Sequence, residues 1–427
     1  MRKNYTRSLQ SKPLQPWPQI GQPCIYETAF THPVMTPIKP ESIWTRAFAL
    51  LCFAEFLGYA QHAVLQPTFP LYITHLGGSP VIVGLVIASF GVLSVLSRPI
   101  LGYWADRWSI TGVMILGFLM QAVSLSLCFI PFTGATILAN GLRGIGWSGM
   151  NTGAYTLLAI SAPTARRGEA SGYFGAAQAA ATVLLPAVAL WIIEARFGGF
   201  HAAFIIAMSL VFIGAAAAYV LSREMASGAR VSHADLTQSW WRDIISVFDR
   251  SILVPAALAF LLFLSLTCLS SFIVLYARQI GVRYFGWYYV VIGTTSMLAR
   301  PLLGRVSDKI GCGPSLVVAF SLQTIALLVV PSVTNLAGAM IAGALYFTGS
   351  AIGGARILAL AIENAPPERR ARALASFSVA FPLSNGAGGL LYGFIVDLAG
   401  YTWMYIVAAG LCASGLILTV KHWASLK

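Results

Sequence analysis

Apolar stretches of about twenty residues recur along this 427-residue chain, from residue 47 to residue 420. About twenty consecutive apolar residues are what a helix needs to cross the hydrocarbon core of a bilayer. The composition agrees, since 57% of the residues are hydrophobic and only 10% are charged, whereas about 25% are charged in an ordinary soluble domain. The sequence therefore predicts one integral membrane protein rather than several soluble domains.

Charged or Gly/Pro-rich breaks divide the apolar sequence into twelve predicted transmembrane helices. The first six form an N-terminal bundle within residues 43–221, with spans near 47–73, 79–101, 112–131, 134–161, 169–195 and 200–221. The second six form a C-terminal bundle within residues 251–420, with spans near 251–277, 284–303, 314–331, 335–363, 371–397 and 401–420. Residues 1–42 are predicted to be a disordered cytosolic tail, 222–250 a polar cytosolic linker and 421–427 a short cytosolic tail. Prolines interrupt residues 1–30, so no cleaved secretory leader is predicted.

The net charge of +13 is explained by membrane orientation. With the N-terminus inside, nearly all Lys and Arg residues fall on the cytosolic side, and the outside keeps only Arg196, Arg278 and Arg283. This asymmetry follows the positive-inside rule. It predicts a multi-pass protein of the plasma membrane, the inner membrane in a bacterium, with both termini in the cytosol. Nucleic-acid binding is not expected.

The chain carries none of the short motifs that would predict an enzyme. It has no HExxH, no GxxxxGK[ST] and no GxSxG segment, and so lacks the patterns of zinc hydrolases, P-loop proteins and serine hydrolases. The six cysteines and six histidines are scattered without the spacing of a zinc site or a disulfide framework. We therefore expect no catalytic activity, no metal and no cofactor.

Three sequence blocks in the first half of the chain recur about 202 to 204 positions later. SRPILGYWADR (97–107) matches ARPLLGRVSDK (299–309), APTARRGEASGYF (162–174) matches APPERRARALASF (365–377), and FPLYITHLG (69–77) matches FIVLYARQIG (272–281). The repeat predicts an all-α membrane protein of two pseudo-symmetric six-helix bundles. Transporters with such parallel repeats place their substrate site between the halves, near the bilayer midplane.

The repeated loop motif carries a family resemblance. GYWADR (102–107), its partial echo GRVSDK (304–309) and RRGEA (166–170) resemble the major facilitator superfamily, over about residues 43–420. The resemblance implies a secondary transporter that works by alternating access, with spans 1, 4, 7 and 10 around a central cavity. Two departures concern proton-coupled drug exporters: their span-four arginine falls on Asn140, with Arg143 nearby, and span five lacks their Gly-Pro-rich stretch.

The motif residues are the candidates for gating: Arg98, Gly102, Asp106, Arg107, Gly304 and Asp308. A carboxylate at the end of a helix can accept backbone N–H groups from the start of another helix, and the resemblance suggests span eleven, from about Ala371, as the partner of Asp106. Such a contact would act as a latch between the halves. The alternative is that Asp106 only caps a turn and Arg98 only orients its span.

Four charged or titratable residues lie within the predicted spans: Glu55, His62, Arg143 and Arg356. A charge at the bilayer centre costs about 2.5 to 3.5 kcal/mol even on lenient scales, so each of them requires an explanation. In span one, Glu55, Tyr59, His62 and Gln66 follow i, i+4, i+7, i+11 spacing and form one polar stripe. The stripe is expected to face water or protein.

Counting 1.5 Å per residue places Glu55 roughly 13 Å and Arg356 roughly 12 Å from the cytosolic helix ends, so the two could meet across the cavity. We hypothesise that Glu55 binds a coupling proton, which burial retains and the approach of Arg356 releases. His62 is the second candidate for this role. The alternatives are a permanent Glu55–Arg356 pair that joins the halves and a hydrogen-bonded core histidine.

The candidate substrate-binding residues are Arg143, Arg356, Tyr59, Gln66, Asn151, Tyr346 and Asn385. Guanidinium groups match carboxylate or phosphate in a two-pronged geometry, and amides and aromatic rings suit an amphipathic organic molecule. Interhelical hydrogen bonds and packing are the alternative for each residue. We expect a monomer that exports a small amphipathic organic compound in exchange for protons. An importer of organic anions and a non-transporting membrane sensor are the other two interpretations.

Overall fold

The fold is helical throughout the part of the chain that the computed structural model describes, residues 43–163, 166–195, 198–226, 253–363 and 370–423. The predicted tail (1–42) and most of the predicted linker lie outside these residues. Inside them, the helices follow the apolar stretches of the sequence closely. The prediction of an all-α membrane protein is confirmed.

Six helices form the N-terminal half among the residues that the structure describes. Local signals set several of their starts: the Thr45 hydroxyl accepts a hydrogen bond from the Phe48 amide at 3.1 Å, Pro80 opens the second helix, and the Ser109 hydroxyl caps the third. Side-chain caps of this kind satisfy amide groups that a helix start leaves unpaired. The helices are α1 (Arg46–His75), α2 (Pro80–Arg107), α3 (Ile110–Leu127), α4 (Thr133–Ser161), α5 (Arg167–Glu194) and α6 (Phe200–Ala226).

The C-terminal half supplies the other six spans. Its helices are α7 (Leu253–Gln279), α8 (Gly286–Ile310), α9 (Cys312–Val329), α10 (Leu336–Glu363) and α11 (Arg370–Lys421). Helix α7 includes a π-helical segment, Cys268–Phe272. Gly400, at φ 83° and ψ 176°, divides α11 into a first arm (370–399) and a second arm (401–421). With these two arms, the described residues contain the twelve predicted spans.

The outer surface of the helices is strongly apolar. Among the described residues, nine helical stretches are long and apolar enough to cross a bilayer, and one of them, Val379–Lys421, covers both arms of α11. Large side chains such as Leu302, Ile341 and Leu398 are 66–75% exposed. Exposed apolar surface on this scale indicates contact with a partner or a membrane in place of water, and here it indicates acyl chains.

The two halves repeat each other in detail. The Tyr72 hydroxyl donates to the carbonyl of Cys128 at 3.1 Å, and Tyr276 in the second half donates to that of Pro331 at 3.2 Å. In the same way, Phe118 packs against Gly214, and Phe320 packs against Gly415. Each contact recurs about 200 residues later along the chain, so the repeat in the sequence corresponds to two pseudo-symmetric bundles.

The contacts between the halves cluster at one end of the molecule. We term the end with Arg107 and Ser161 the motif end, and the end with His75 and Pro80 the opposite end. Toward the opposite end, α2 and the first arm of α11 approach so closely that a Cβ on Gly389 would lie 2.9 Å from the carbonyl oxygen of Gly84. The closeness requires residues without side chains on both helices.

A second contact between the halves joins α5 and α8 at the opposite end. There the rings of Trp191 and Trp287 pack edge to face with centroids 5.5 Å apart. Toward the motif end, buried apolar residues instead form separate clusters, one around Leu101 in the first half and one around Leu316 in the second. The described contacts therefore close the seam between the halves at the opposite end.

Candidate functional site

A small cavity lies in the seam between the two halves. Its volume is about 50 Å³, room for water molecules and not for a drug-sized ligand. It brings together four residues that the sequence predicted for the site: His62, Gln66, Arg143 and Asn385. We term it the seam cavity. The other lining residues are Leu65, Phe69, Pro70, Ile87, Phe90 and Asn140 from the first half and Leu266, Ser270, Ser271 and Phe381 from the second.

Arg143 is the central charge of the seam cavity and is only 4% exposed. Its Nε donates a hydrogen bond to Oδ1 of Asn140 at 2.8 Å, and its Nη1 lies 2.9 Å from Nδ1 of His62. A guanidinium has donors and no acceptor, so Nδ1 of His62 must accept. The imidazole is therefore neutral in this arrangement, with its proton on Nε2.

Aromatic rings surround the His62–Arg143 pair. The guanidinium carbon lies 4.5 Å from the ring centre of Phe90 and 5.4 Å from that of Phe69, distances typical of cation–π contacts. The His62 ring lies 4.5 Å from Trp147. Among the described residues no carboxylate forms an ion pair with Arg143. The site thus holds a buried cation on neutral acceptors and ring faces, an arrangement that favours an incoming negative charge.

Asn140 holds Arg143 in place. Its Nδ2 donates to the carbonyl oxygen of Val86 at 2.5 Å, while its Oδ1 receives Arg143. The amide thus ties α4 to α2 and orients the guanidinium toward α1. This gives a physical role to the position at which the sequence departs from the exporter pattern.

A second polar group surrounds Glu55, on the motif-end side of the stripe in α1. Glu55 is fully buried, and its Oε1 accepts a hydrogen bond from Nε2 of Gln178 at 2.8 Å. The same Nε2 lies 3.3 Å from the hydroxyl of Tyr155, whereas Oε2 of Glu55 has no hydrogen-bond partner among the described residues. We term Glu55, Tyr155 and Gln178, from α1, α4 and α5, the Glu55 cluster.

The structure does not bring Glu55 and Arg356 together as the sequence suggested. The partner of Glu55 is Gln178 in its own half, and Arg356 lies in α10 beside Cys312, at the start of α9. The estimate from helix rise gave similar depths for the two residues. Depth does not fix the direction in which a side chain leaves its helix, and the two side chains leave toward different neighbours.

Trp147 and Tyr59 lie between the two polar groups. The Tyr59 ring packs on Trp147 with centroids 4.7 Å apart, and Trp147 in turn contacts His62. The Tyr59 hydroxyl lies 3.5 Å from Oδ1 of Asn151, whose Nδ2 donates to the Trp147 carbonyl. Tyr59 also hydrogen-bonds Tyr155, so Tyr59, a predicted substrate contact like Asn151, connects the seam cavity to the Glu55 cluster.

Tyr346, another predicted substrate contact, lies away from the seam cavity. It is fully buried in the C-terminal half, where its hydroxyl lies 2.7 Å from Oγ of Ser265. Several residues outside the predicted site contact its members directly. Gln178 contacts Glu55, and the residues that contact Arg143 or His62 are Asn140, Phe69, Phe90 and Trp147. Gln178 was detectable as an amide within an apolar span, whereas nothing in the sequence distinguishes Phe90 from the other aromatic residues of the core.

The loop motif is described in part. Asp106 lies exposed in the last turn of α2, and the Arg107 guanidinium stacks 5.0 Å from the Tyr103 ring centre. A Cβ on Gly102 would meet no atom of the described residues within 4 Å. The side chains of Gly304, Asp308 and residues 370–378 lie outside the described part of the chain. The latch between Asp106 and span eleven remains a prediction.

With this geometry in view, comparison with known proteins decides the family. The sequence profile of the Major Facilitator Superfamily matches residues 51–362 and 258–423. The chain belongs to the major facilitator superfamily. The resemblance carried by the loop motif is confirmed, and the protein is a multi-pass membrane transporter of this superfamily.

The relatives of this superfamily member include exporters. It is 24% identical to the multi-drug resistance efflux pump PmrA of Streptococcus pneumoniae over 65% of this chain and 70% of that protein. It is 21% identical to the staphylopine export protein of Staphylococcus aureus over 84% of this chain and 92% of that protein. A crystal structure of a POT family transporter in complex with a thioalcohol conjugated peptide shares the fold, with a TM-score of 0.74 at 12% identity over 90% of this chain and 97% of that one.

Proposed function

We propose that this transporter exports a small amphipathic organic compound in exchange for protons, by alternating access. The observation that carries the proposal is Glu55, a fully buried carboxyl group whose Oε2 has no hydrogen-bond partner among the described residues, on the same helix as His62 and Gln66 of the seam cavity. Buried ionisable residues in transporters mark ion pathways and proton relays. The export direction is supported by the efflux and export proteins among the relatives.

The Glu55 cluster suits a proton site that meets water on one side at a time. Gln178 holds one carboxyl oxygen, and Oε2 is left for a proton. Tyr155, which shares Gln178 with Glu55, is 50% exposed and connects the buried carboxyl group to the surface of the described structure. We assign proton binding to Glu55 and the positioning of its carboxyl group to Gln178.

The seam cavity suits the substrate. Its aromatic and aliphatic side chains provide an apolar wall, while Gln66, Asn385 and Arg143 provide polar groups from both halves. Drug-sized ligands occupy sites of about 300–1,000 Å³, far more than the cavity offers in this arrangement. The substrate therefore enters only when the halves separate, as alternating access requires.

We infer that the motif end faces the cytosol, because basic side chains are concentrated there and the positive-inside rule favours that orientation. On this assignment the described arrangement is closed toward the outside, and substrate loads from the cytosol once the halves separate further at the motif end. Both chain termini then lie in the cytosol, and the membrane is the plasma membrane.

Inside-out vesicles containing the transporter test the exchange. An acidic lumen is expected to drive accumulation of amphipathic fluorescent dyes, with fluorescein as the anionic probe and rhodamine 6G as the cationic probe. Glu55→Gln should abolish gradient-driven accumulation while dye exchange without a gradient persists, because only the proton step is removed. Glu169→Gln, which changes an exposed carboxylate at the start of α5, is the matched control. Undiminished gradient-driven accumulation by Glu55→Gln would rule the proposal out.

One observation favours a second candidate, import of an organic anion. Arg143 presents an uncompensated cation to the seam cavity, and an importer that carries an anion together with a proton would use the same charge. Right-side-out vesicles with an acidic exterior distinguish the two directions. Uptake of fluorescein into them, with none into inside-out vesicles, would favour import.

A further inference from the structure

The charge distribution around the seam cavity selects among substrate classes. None of the described residues that line it is acidic, and Arg143 is its permanent cation. We infer that the substrate is an amphipathic organic anion, whose carboxylate or equivalent group binds Arg143 in the place that His62 occupies. This inference rests on the proposed transport function and narrows its substrate.

The guanidinium has capacity for a ligand. Its Nε and Nη1 are used by Asn140 and His62. Its Nη2 makes no hydrogen bond to the described residues, and it is not among their enclosed, unpartnered polar atoms. Nη2 is therefore the donor of Arg143 that is left for a ligand.

His62 accepts a hydrogen bond from Arg143, as a bound anion would, but it carries no negative charge. Its Nδ1 offers one lone pair to Nη1 of Arg143 at 2.9 Å, so it satisfies one donor and leaves the positive charge uncompensated. A carboxylate offers two oxygens that match Nη1 and Nη2 as a fork, and charge-assisted pairs of this kind are about twice as strong as neutral hydrogen bonds. The anion would replace the imidazole because it accepts hydrogen bonds from both Nη1 and Nη2 and neutralises the positive charge of Arg143.

The rest of the cavity fits the body of such a molecule. Phe69 and Phe90 flank the guanidinium from the first half, and Leu266 and Phe381 line the same cavity from the second half. A ligand whose head group binds Arg143 therefore places its apolar body against both halves, so that binding affects the two bundles together. A cationic compound would instead meet Arg143 with no carboxylate in the cavity lining to receive it.

A set of three ligands with one body tests the inference on the full-length protein in lipid nanodiscs. The probes are 4-phenylbutyrate, 4-phenylbutanamide and 4-phenylbutylammonium, followed by the same head groups on an octyl body, with binding measured by calorimetry. The carboxylate is expected to bind at least about tenfold more tightly than the amide, and the ammonium is not expected to bind. Equal or tighter binding of the amide or the ammonium, or no carboxylate binding in either series, would overturn the inference.

Two variants of one pair should act in opposite directions. Arg143→Gln is expected to remove the preference for the carboxylate, whereas His62→Ala is expected to raise carboxylate affinity, since the competing imidazole is gone. Arg223→Gln, at an exposed arginine stacked on Tyr219, is the control and should change nothing. A loss of carboxylate affinity in His62→Ala would show that the pair is structural and would refute the inference. Arg143→Lys, which keeps the charge without the fork, is expected to retain a weaker preference if Arg143→Gln fails to fold.

The binding assay and the vesicle assay fail separately. Carboxylate preference in nanodiscs without gradient-driven accumulation would leave the ligand class standing and remove the proposed exchange. Gradient-driven accumulation of rhodamine 6G without carboxylate preference would do the reverse.

Discussion

At the scale of single residues, the buried amides of the N-terminal half give a direct test of hydrogen-bond energetics. Gln61 donates through Nε2 to Oε1 of Gln121, and both side chains are fully buried. Gln121→Leu leaves the Gln61 amide without this partner, so we expect the free energy of unfolding to fall by roughly 1–2 kcal/mol. Thermal denaturation of the purified protein measures the change.

The matching double variant separates a lost partner from lost packing. Removing both amides leaves no orphaned group, so Gln61→Leu with Gln121→Leu should be more stable than Gln121→Leu alone. Independent, additive losses would contradict this explanation and indicate that the two amides act through packing.

Residue spacing in α1 predicted that its polar residues share one face of the helix, but it did not identify the residues that they contact. His62 and Gln66 line the seam cavity, and Glu55 lies on the same helix nearer the motif end. Their 3.6-residue periodicity is local, so the sequence contains it. The partner of Glu55 depends on how α5 packs against α1, and no local pattern identifies Gln178 over Arg356.

At the scale of elements, the π-helical segment of α7 is stabilised from another helix. Tyr288 and Tyr289 of α8 donate through their hydroxyls to the carbonyls of Leu269 and Ser270, at 2.9 and 2.8 Å. A π segment leaves helix carbonyls without their usual donors, and such segments often occur at functional sites. Here Ser270 and its neighbour Ser271 line the seam cavity.

Removing these hydroxyls should loosen the π segment. We expect Tyr288→Phe and Tyr289→Phe each to lower the free energy of unfolding by about 1 kcal/mol and to accelerate amide hydrogen exchange between residues 268 and 272. Hydrogen–deuterium exchange with mass spectrometry measures the local effect. Tyr405→Phe is the control, because the buried Tyr405 hydroxyl has no hydrogen-bond partner in the part of the chain that the structure describes. An equal acceleration in that variant would argue against the specific role of the two tyrosines.

The sequence predicted most helices and missed the irregular ones. Apolar runs and their breaks placed the spans within a few residues of α1 to α6, because burial in lipid imposes a length on every span. It gave no indication of the π segment, whose geometry depends on tyrosines of α8. The sequence did predict the separation of spans eleven and twelve, since these spans correspond to the two arms of α11 on either side of Gly400.

At the scale of the whole molecule, the repeat predicted two bundles without predicting which end is closed. Equivalent contacts such as Tyr72 with Cys128 and Tyr276 with Pro331 follow from the repeat, since similar halves pack similarly. The closure depends on contacts between halves. A transporter must break and remake those contacts, so one sequence is compatible with both arrangements.

The closed end should open when a larger side chain is introduced where α2 and the first arm of α11 approach each other closely. A Cβ on Gly389 would lie 2.8 Å from Cβ of Ile87 and 2.9 Å from the Gly84 carbonyl oxygen, so Gly389→Val forces α2 and the first arm of α11 apart. Spin labels at Ile130 and Thr334, on opposite-end loops of the two halves, should lie farther apart in Gly389→Val than in the parent, as measured by double electron–electron resonance. The labels are placed in a background with the native cysteines replaced by alanine.

The control for this opening is Gly410→Val. Gly410 lies on the exposed face of the second arm of α11, where an added Cβ meets no atom of the described residues within 4 Å, so the label distances in this variant should match those of the parent. Substrate loading gives a second readout, since a protein held open at the opposite end loses the seal that alternating access requires. Gly389→Val should therefore bind 4-phenylbutyrate yet fail to accumulate fluorescein against a gradient. Parental label distances in Gly389→Val would show that the glycine contact does not control closure.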